Sequence, residues 1–396
     1  MGDGIAEGPV YVPGALPGEV VTGVADGDRL ADMRVVVPSP DRVSPPCRHF
    51  RSCGGCRMQH LSDAAMAAWK TETVKTALAA QGLEAEFLPM AVSQPNTRRR
   101  ATVAARRTKK GAMAGFHGRQ SGTITEIPDC KLLHPELMKA LPVAEAVAMA
   151  GASRKAALRV TATLSEAGLD IAVDEGKPLD GPLRLALAQV CAAHDLARLS
   201  WGDETIATRR PPEQVFGGIR VVPPPGAFLQ ATAEGETALR DDVLRIIGGA
   251  ARVVDIFAGC GTFALPAART AQVHAVEGDA AMAAALDSGW RHSTGSKHVT
   301  TETRDIFRRP LTAEELRGFD AAIIDPPRAG AAAQIAELAV SGIGVIAHVS
   351  CNPVTFARDA ALLRRNGYEL ASLRIVDQFR WSAHVELVAE FRRGGA

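Results

Sequence analysis

Two side chains late in the 396-residue chain have the chemistry of a covalent catalyst. Cys351 ends the strand-like run HVSC and is followed by Asn352 and Pro353. A thiol at a strand end is a candidate nucleophile if its surroundings favour the thiolate over a free thiol of pKa about 8.5. Glu386 stands in HVELVAEF, a strand-like run that is otherwise largely apolar. A lone carboxylate among Val and Leu titrates high unless paired, which suits it to take a proton near neutral pH. The plain alternatives are a small buried hydrophobe for Cys351 and a buried ion pair for Glu386. Methylation of pyrimidine carbon 5 needs this pair. Carbon 5 is a poor nucleophile in the intact ring. Thiolate addition at carbon 6 makes an enolate that can attack a sulfonium methyl. A base must then remove the carbon-5 proton before the thiol leaves.

The candidate cofactor residues lie upstream. VVDIFAGCGTFALPAA reads as a strand, a glycine turn and a helix start, and Gly259 and Gly261 let the backbone approach a ligand. Glu277 ends the next strand-like run, 22 residues after Asp255. An acid about 20 residues on grips a ribose diol in Rossmann-like units. The dinucleotide pattern G-x-G-x-x-G is absent, which favours S-adenosylmethionine over NAD. Asp305 in TRDIF is placed to meet an adenine or to cap a helix. IIDPPRAG sets Asp325 and Arg328 just past a buried strand, where ligands bind in open α/β sheets. Arg328 replaces the aromatic that amino-methylating enzymes commonly carry there, which disfavours an exocyclic amine as target.

A third group is made of thiols. Cys47, Cys53 and Cys56 have five and two residues between them, and Cys130 is a candidate fourth ligand. Four thiolates can hold tetrahedral zinc or a cubane iron–sulfur cluster, and spacing alone does not choose. The trio does not fit C-x3-C-x2-C of radical S-adenosylmethionine enzymes. A close trio with a distant fourth is more cluster-like than the paired thiols of zinc ribbons.

The elements that must position these groups fall into three stretches. Residues 1–46 read as short strands and turns, and 47–226 as an α+β region. In 227–396, strand-like and Ala-rich helical runs alternate, the pattern of a doubly wound parallel sheet. Residues 62–81 read as a helix capped by Ser62 or Asp63. Residues 98–119 read as a β-meander carrying eight Lys or Arg, with no acid from 98 to 125. That charge suits phosphate contacts, or is a solvated basic face. The sum is neutral, 45 Lys+Arg against 44 Asp+Glu. At 46% apolar and 22% charged, the composition is globular. There is no apolar run near 18 residues, and the N-terminus lacks the apolar stretch of a secretory signal. Membrane insertion and export are not expected, and a cytoplasmic location is. Seven cysteines without an export signal point away from disulfides. Cys191, among Val, Ala and Leu, reads as core.

Taken jointly, these motifs resemble the bacterial RNA (uracil-5-)-methyltransferases over nearly the whole chain. CRHFRSCGGCRMQH with Cys130 resembles the four-cysteine [4Fe-4S] motif of the family's ribosomal RNA branch, which the transfer RNA branch lacks. AFLQATAEGE implicates Gln230 at the cofactor. DIFAGCGTFALP adds Phe257 and Thr262 to the two glycines. VEGD, TRDIF and DPPRAG carry over Glu277, Asp305 and Asp325. SCNPVTFARD gives Cys351 as nucleophile, and HVE gives Glu386 as base. Thr262 stands where many relatives have Asn, and Ala231-Thr232 where Val-Asn is common. EGPVYVPGALPGE resembles part of a TRAM barrel, though the segment is short for one. The resemblance implies three units: a TRAM-like β segment (1–46), a central iron–sulfur α+β domain (47–226) and a Rossmann-like methyltransferase domain (227–396). Residues 59–90 are expected to pack with the last. It further implies an S-adenosylmethionine-dependent enzyme making 5-methyluridine in 23S rRNA, with RNA as partner and no obligate protein partner. The rivals are a transfer RNA uridine methyltransferase and a non-catalytic iron–sulfur RNA-binding module.

Overall fold

A computed structural model describes residues 3–8 and 10–394. The largest element is an eight-stranded sheet. In spatial order its strands are Val299–Thr303, Gln272–Glu277, Arg252–Ile256, Ala321–Ile324, Val345–Ser350, Leu387–Arg393, Tyr368–Asp377 and Phe87–Val92. The first five are parallel. Leu387–Arg393 is antiparallel to both its neighbours. The strand order reverses between Arg252–Ile256 and Ala321–Ile324, which opens a crevice at the carboxyl ends. The inner strands are apolar on both faces because helices cover both. Val254, Ile256 and Ile324 join one core with Phe356, while Val253, Ile323 and Val349 join another with Leu239.

Residues 63–92 lie with this sheet, across the sequence boundary at 226. Phe87–Val92 is its edge strand, parallel to Tyr368–Asp377. Helix Asp63–Ala79 is capped by Ser62, whose Oγ accepts from Ala65 N–H, and it packs against helix Pro353–Arg365. Its buried stripe is Met66, Lys70, Val74 and Leu78. Spacing of four keeps them on one face, so Lys70 is carried into the core.

The central region forms a seven-stranded sheet. Its order is Glu204–Thr208, Arg198–Trp201, Gly168–Asp174, Leu158–Ser165, Arg100–Arg107, Ala112–His117 and Ile124–Glu126. Helices Ala140–Gly151 and Gly181–Ala193 pack on it, and Cys191 is fully buried in this core. At the N-terminus, Gly4–Ala6, Val10–Val12, Arg29–Val37 and Val20–Asp26 make a small sheet in that order. Among the described residues no helix is long and apolar enough to cross a membrane.

Candidate functional site

The antiparallel ladder pairs Ser350 with Leu387. The next residues out, Cys351 and Glu386, therefore face each other at the carboxyl end of the sheet. Glu386 stands one residue before its strand rather than inside it, and its backbone carbonyl accepts from Val376 N–H at 2.8 Å. Its side chain is buried, whereas Cys351 is half-buried. Asn352 caps helix Pro353–Arg365 by accepting from Val354 N–H at 3.1 Å. Its Nδ2 donates to the Arg328 carbonyl at 2.9 Å, which ties the Cys351 loop to the Asp325–Arg328 loop. Asp325 follows the adjacent strand and is half-buried.

These groups share one electrostatic neighbourhood. Burial pushes the Asp325 carboxyl up to about 7. Burial, then the charge of Asp325, pushes Glu386 well above the usual carboxylate range, and a hydrogen bond from Gln378 pulls it back. Burial, then Glu386 and Asp325, pushes the Cys351 thiol up to about 11, against the pull of Arg328. Two carboxyls with raised affinity for protons thus face one thiol.

Gln378 escaped the sequence reading. It follows the strand Tyr368–Asp377 in IVDQF and is buried. Its Nε2 donates to Gln230 Oε1 at 2.5 Å and to Glu386 Oε2 at 3.1 Å, and its Oε1 accepts from Ala231 N–H at 2.8 Å. The only signal in the sequence is a polar residue closing an apolar run. Gln230 is itself buried and meets Glu386 through this amide.

The glycine turn forms at the end of Arg252–Ile256. Phe257 has φ +67°, in the left-handed region that costs a non-glycine residue about 1–3 kcal/mol, and such outliers cluster at ligand sites. Gly259 N–H donates to Glu277 Oε2 and Asp279 N–H to Glu277 Oε1, both at 2.8 Å. Glu277 therefore braces the glycine turn through Oε2, while its Oε1 holds its own loop at Asp279. Gly261 has φ +95°, and a Cβ there would lie 2.7 Å from Leu265 Cγ. Thr262 is half-buried beside it. The helix that follows is a single turn, Ala264–Ala267, with Pro266 inside it. Asp255 is fully buried, and among the described residues neither of its carboxyl oxygens makes a hydrogen bond of normal geometry. Burial, then Asp325 and Glu277, push it well above the usual range. Asp305 is exposed, and its Oδ1 caps a turn by accepting from Phe307 and Arg308 N–H at 3.1 and 3.2 Å. This is closer to the capping alternative. Phe307 is 52% exposed, with its ring 5.5 Å from that of Phe257, so two aromatics rim the turn.

The four thiols occupy one region. Cys56 and Cys130 share a small cluster with Leu132, Trp381 and Phe50, and Cys53 and Cys130 also border the central core. Burial raises Cys53 and Cys130 and pushes Cys56 up to about 12, and the thiols add to one another's shift through like charge. Gly55 N–H donates to Cys53 Sγ at 3.3 Å and Leu132 N–H to Cys130 Sγ at 3.4 Å. Among the described residues, however, no group of three or more His, Cys, Asp or Glu is arranged to hold a metal ion. The donor chemistry suits a thiophilic centre, and the arrangement is not that of a formed single-ion site.

The basic run is not one solvated face. Arg99 pairs with Glu236 and donates to the Gln230 carbonyl at 3.2 Å. Arg100 donates to the Gly226 carbonyl at 2.9 Å, and Arg98 Nε to the Arg100 carbonyl at 3.0 Å. The Arg99 and Arg100 contacts tie the central sheet to the 226–236 segment that leads into the larger one, while the Arg98 contact stays within its own segment. Lys109, Lys110 and Arg119 remain exposed, and Arg106 and Arg107 half-exposed.

A doubly wound sheet with a glycine turn, an acid hydrogen-bonded to that turn, and a thiol facing carboxyls at its carboxyl ends has the architecture of a Rossmann-like S-adenosylmethionine-dependent methyltransferase. Known proteins narrow the class. Residues 297–391 match the tRNA (Uracil-5-)-methyltransferase family. An uncharacterised RNA methyltransferase of Brucella suis is 46% identical over 396 residues, 99% of this chain and 95% of its own. The 23S rRNA (uracil(1939)-C(5))-methyltransferase RlmD of Burkholderia pseudomallei is 32% identical, over 97% of this chain and 89% of its own. The crystal structure of Pyrococcus abyssi tRNA (uracil-54, C5)-methyltransferase in complex with S-adenosyl-L-homocysteine has the same fold. It has a TM-score of 0.75 and 23% identity, and the match covers 98% of this chain and 96% of that one. The chain belongs to the RNA (uracil-5-)-methyltransferase family and is an S-adenosylmethionine-dependent transferase.

Proposed function

We propose that the enzyme methylates carbon 5 of a uridine in 23S rRNA, with Cys351 as nucleophile and Glu386 as base. The observation that carries this reading is the ladder register that sets Cys351 opposite Glu386 beside Asp325. Cys351 adds to carbon 6, and the displaced π electrons make carbon 5 nucleophilic. S-adenosylmethionine, when bound, supplies the sulfonium methyl. Glu386 then takes the carbon-5 proton, and the electrons of that C–H bond expel the Cys351 thiolate. Asp325, pushed up to about 7, is partly protonated near neutral pH, which lessens the negative charge opposing the thiolate and leaves Glu386 as the proton acceptor.

Phe257, Gly259, Gly261, Thr262, Glu277 and Asp305 would hold the cofactor, with Gln230 and Asp325 between it and the uracil. Glu277 and the glycine turn are joined by a direct hydrogen bond, which supports this grouping. Asp305 Oδ1 caps its turn and its Oδ2 lies 3.4 Å from Arg308 Nε, so Asp305 would meet the cofactor by exchanging that exposed pairing. The target base must leave its stack to offer a ring face to the thiol. Lys109, Lys110 and Arg119, with Arg106 and Arg107, would hold flanking phosphates.

Cys47, Cys53, Cys56 and Cys130 would hold a [4Fe-4S] cluster, with zinc the less favoured occupant. The packing of Cys56 with Cys130, the mutual charge effects among the four thiols and the N–H donors to two of the sulfurs support this set. The cluster would supply folding and RNA positioning, since no electron enters or leaves the methylation. The cysteine set and the 32% identity to RlmD favour ribosomal RNA. The family description favours transfer RNA. Mass-spectrometric mapping of 5-methyluridine in rRNA and tRNA from cells with and without the gene decides. Loss from rRNA alone is expected, and loss from tRNA alone would reject the assignment. Anaerobically purified protein should be brown; colourless protein with one zinc would refute the cluster.

A further inference from the structure

Gln378 touches two candidate site residues and belongs to no motif that the family resemblance supplied. The fixed point of its amide is Ala231 N–H. A backbone donor can face only the carboxamide oxygen, so Gln378 Oε1 must point to it, at 2.8 Å. Nε2 is then forced toward Gln230 Oε1 at 2.5 Å and Glu386 Oε2 at 3.1 Å. Both Nε2 hydrogens are used, and the residue is 1% exposed, so water cannot substitute for either partner.

The backbone beneath it is also held. Lys70 Nζ donates to Asp377 Oδ1 at 2.6 Å and to the Phe379 carbonyl at 3.3 Å, and Ser93 N–H donates to the Asp377 carbonyl at 3.0 Å. Gln378 is therefore bracketed by anchored neighbours. Two consequences follow for what it holds. The N–H toward Glu386 favours its ionised form, the form a base needs. Gln230 Oε1 is committed, and among the described residues no acceptor pairs with its Nε2. Its amide hydrogens are left for a substrate or cofactor oxygen.

We propose that Gln378 is a positioning residue that holds the Glu386 carboxylate as a proton acceptor and turns the Gln230 amide so that its donors face the pocket. This rests on the Cys351–Glu386 reading. Other groups facing Glu386 are Cys351, at the end of the adjacent strand, and Asp325, at the end of the strand beyond it. Arg328 faces Cys351. His384 lies nearby, facing Arg328, Lys70, Arg57 and Arg98. The Lys70–Asp377 pair lies behind Gln378. Of these groups, Gln378 is the one that hydrogen-bonds the Glu386 carboxyl.

The test uses full-length enzyme with S-adenosylmethionine and unmethylated 23S rRNA and tRNA transcripts. Gln378→Met removes both donors at similar volume. Turnover should fall about ten- to a hundredfold, the loss of one hydrogen bond to a charged group. Covalent RNA–protein complex should accumulate on denaturing gels, because elimination is the impaired step. The acidic limb of the kcat profile should move to higher pH, since the base loses the donor that favours its ionised form. Gln378→Glu replaces the amide with a donor that exists only when protonated. It should add an alkaline limb, with turnover recovering as pH falls. Wild-type turnover in both variants, or loss without a moved limb or trapped complex, overturns the proposal. If Gln378→Met does not fold, Gln378→Glu decides alone: no alkaline limb overturns it. Product from Cys351→Ala would instead overturn the covalent reading beneath it, so the two failures are distinct.

Discussion

The molecule holds cysteine in two very different settings. In the cleft, one half-buried thiol faces two carboxyls that bind protons tightly, with Arg328 opposing them. In the cysteine pocket, four thiols face one another, with Arg98 and Arg119 nearby and backbone N–H groups on two of the sulfurs. Burial raises the thiol pKa in both. The neighbours decide what the sulfur is for. A lone thiol beside proton acceptors can bond, release and be regenerated. Four like thiols repel as they ionise and gain most from a shared positive centre. The settings are also joined. Arg57 and Met58 N–H, just after Cys56, donate to the Trp381 carbonyl at 2.9 and 3.1 Å. Trp381 packs with Cys56 and Cys130 and lies on the segment between Gln378 and Glu386. Its φ of +57° is a strain that this grip must sustain.

The sharpest way to break the contrast is to remove one thiol from each setting. Cys351→Ala should lower methylation at least about 10⁴-fold and abolish covalent complex, while cofactor affinity and melting temperature hold. Product above background rejects its role. Glu386→Gln should cost about 10²–10⁴ in turnover and leave the adduct standing. Normal turnover removes it as base. Cys53→Ser should destabilise the fold by about 4 kcal/mol in denaturant titration and weaken RNA binding more than cofactor binding. If the loss is in chemistry alone, the two settings are not distinct.

A smaller effect probes the link between them. Lys70→Met leaves Asp377 buried without its partner, and stability to urea should drop by about 3 kcal/mol. The double variant Lys70→Met/Asp377→Leu should recover much of that loss; failure to recover would mean that the pair does more than compensate its own burial.

The smallest effect lies away from both settings. Glu19 accepts from Leu16 N–H at 2.8 Å and Arg42 Nη2 at 2.6 Å. The Arg42 hydrogen bond holds its carboxyl down at about 2. The unfolded chain binds that proton near 4.5, so the stabilisation is full above pH 4.5 and is lost as pH falls toward 2. It should amount to about 2 kcal/mol, read as faster amide exchange in residues 10–37 on acidification. Exchange that does not change across this range would sink it.

Much of this was legible along the chain because it is local. Alternating strands and helices, the glycine turn and Ser62 as a cap need only nearby residues. Three features were not. Lys70 looks exposed by type, and only its place on the stripe with Met66, Val74 and Leu78 takes it inside. Arg98, Arg99 and Arg100 look like a phosphate surface, yet they bond to carbonyls and to Glu236 at the junction of the two sheets. Gln378 has no motif, because its partners at 230, 231 and 386 come from other parts of the chain.

Residue order alone therefore determined the doubly wound alternation, the order of its strands' motifs and which side chains could react, since periodicity and spacing are properties of the line; it did not show that Leu387–Arg393 enters the sheet antiparallel. Tertiary structure decided the rest. A one-residue change in register would turn Cys351 and Glu386 to opposite faces, and only the pairing of Ser350 with Leu387 sets them across from each other.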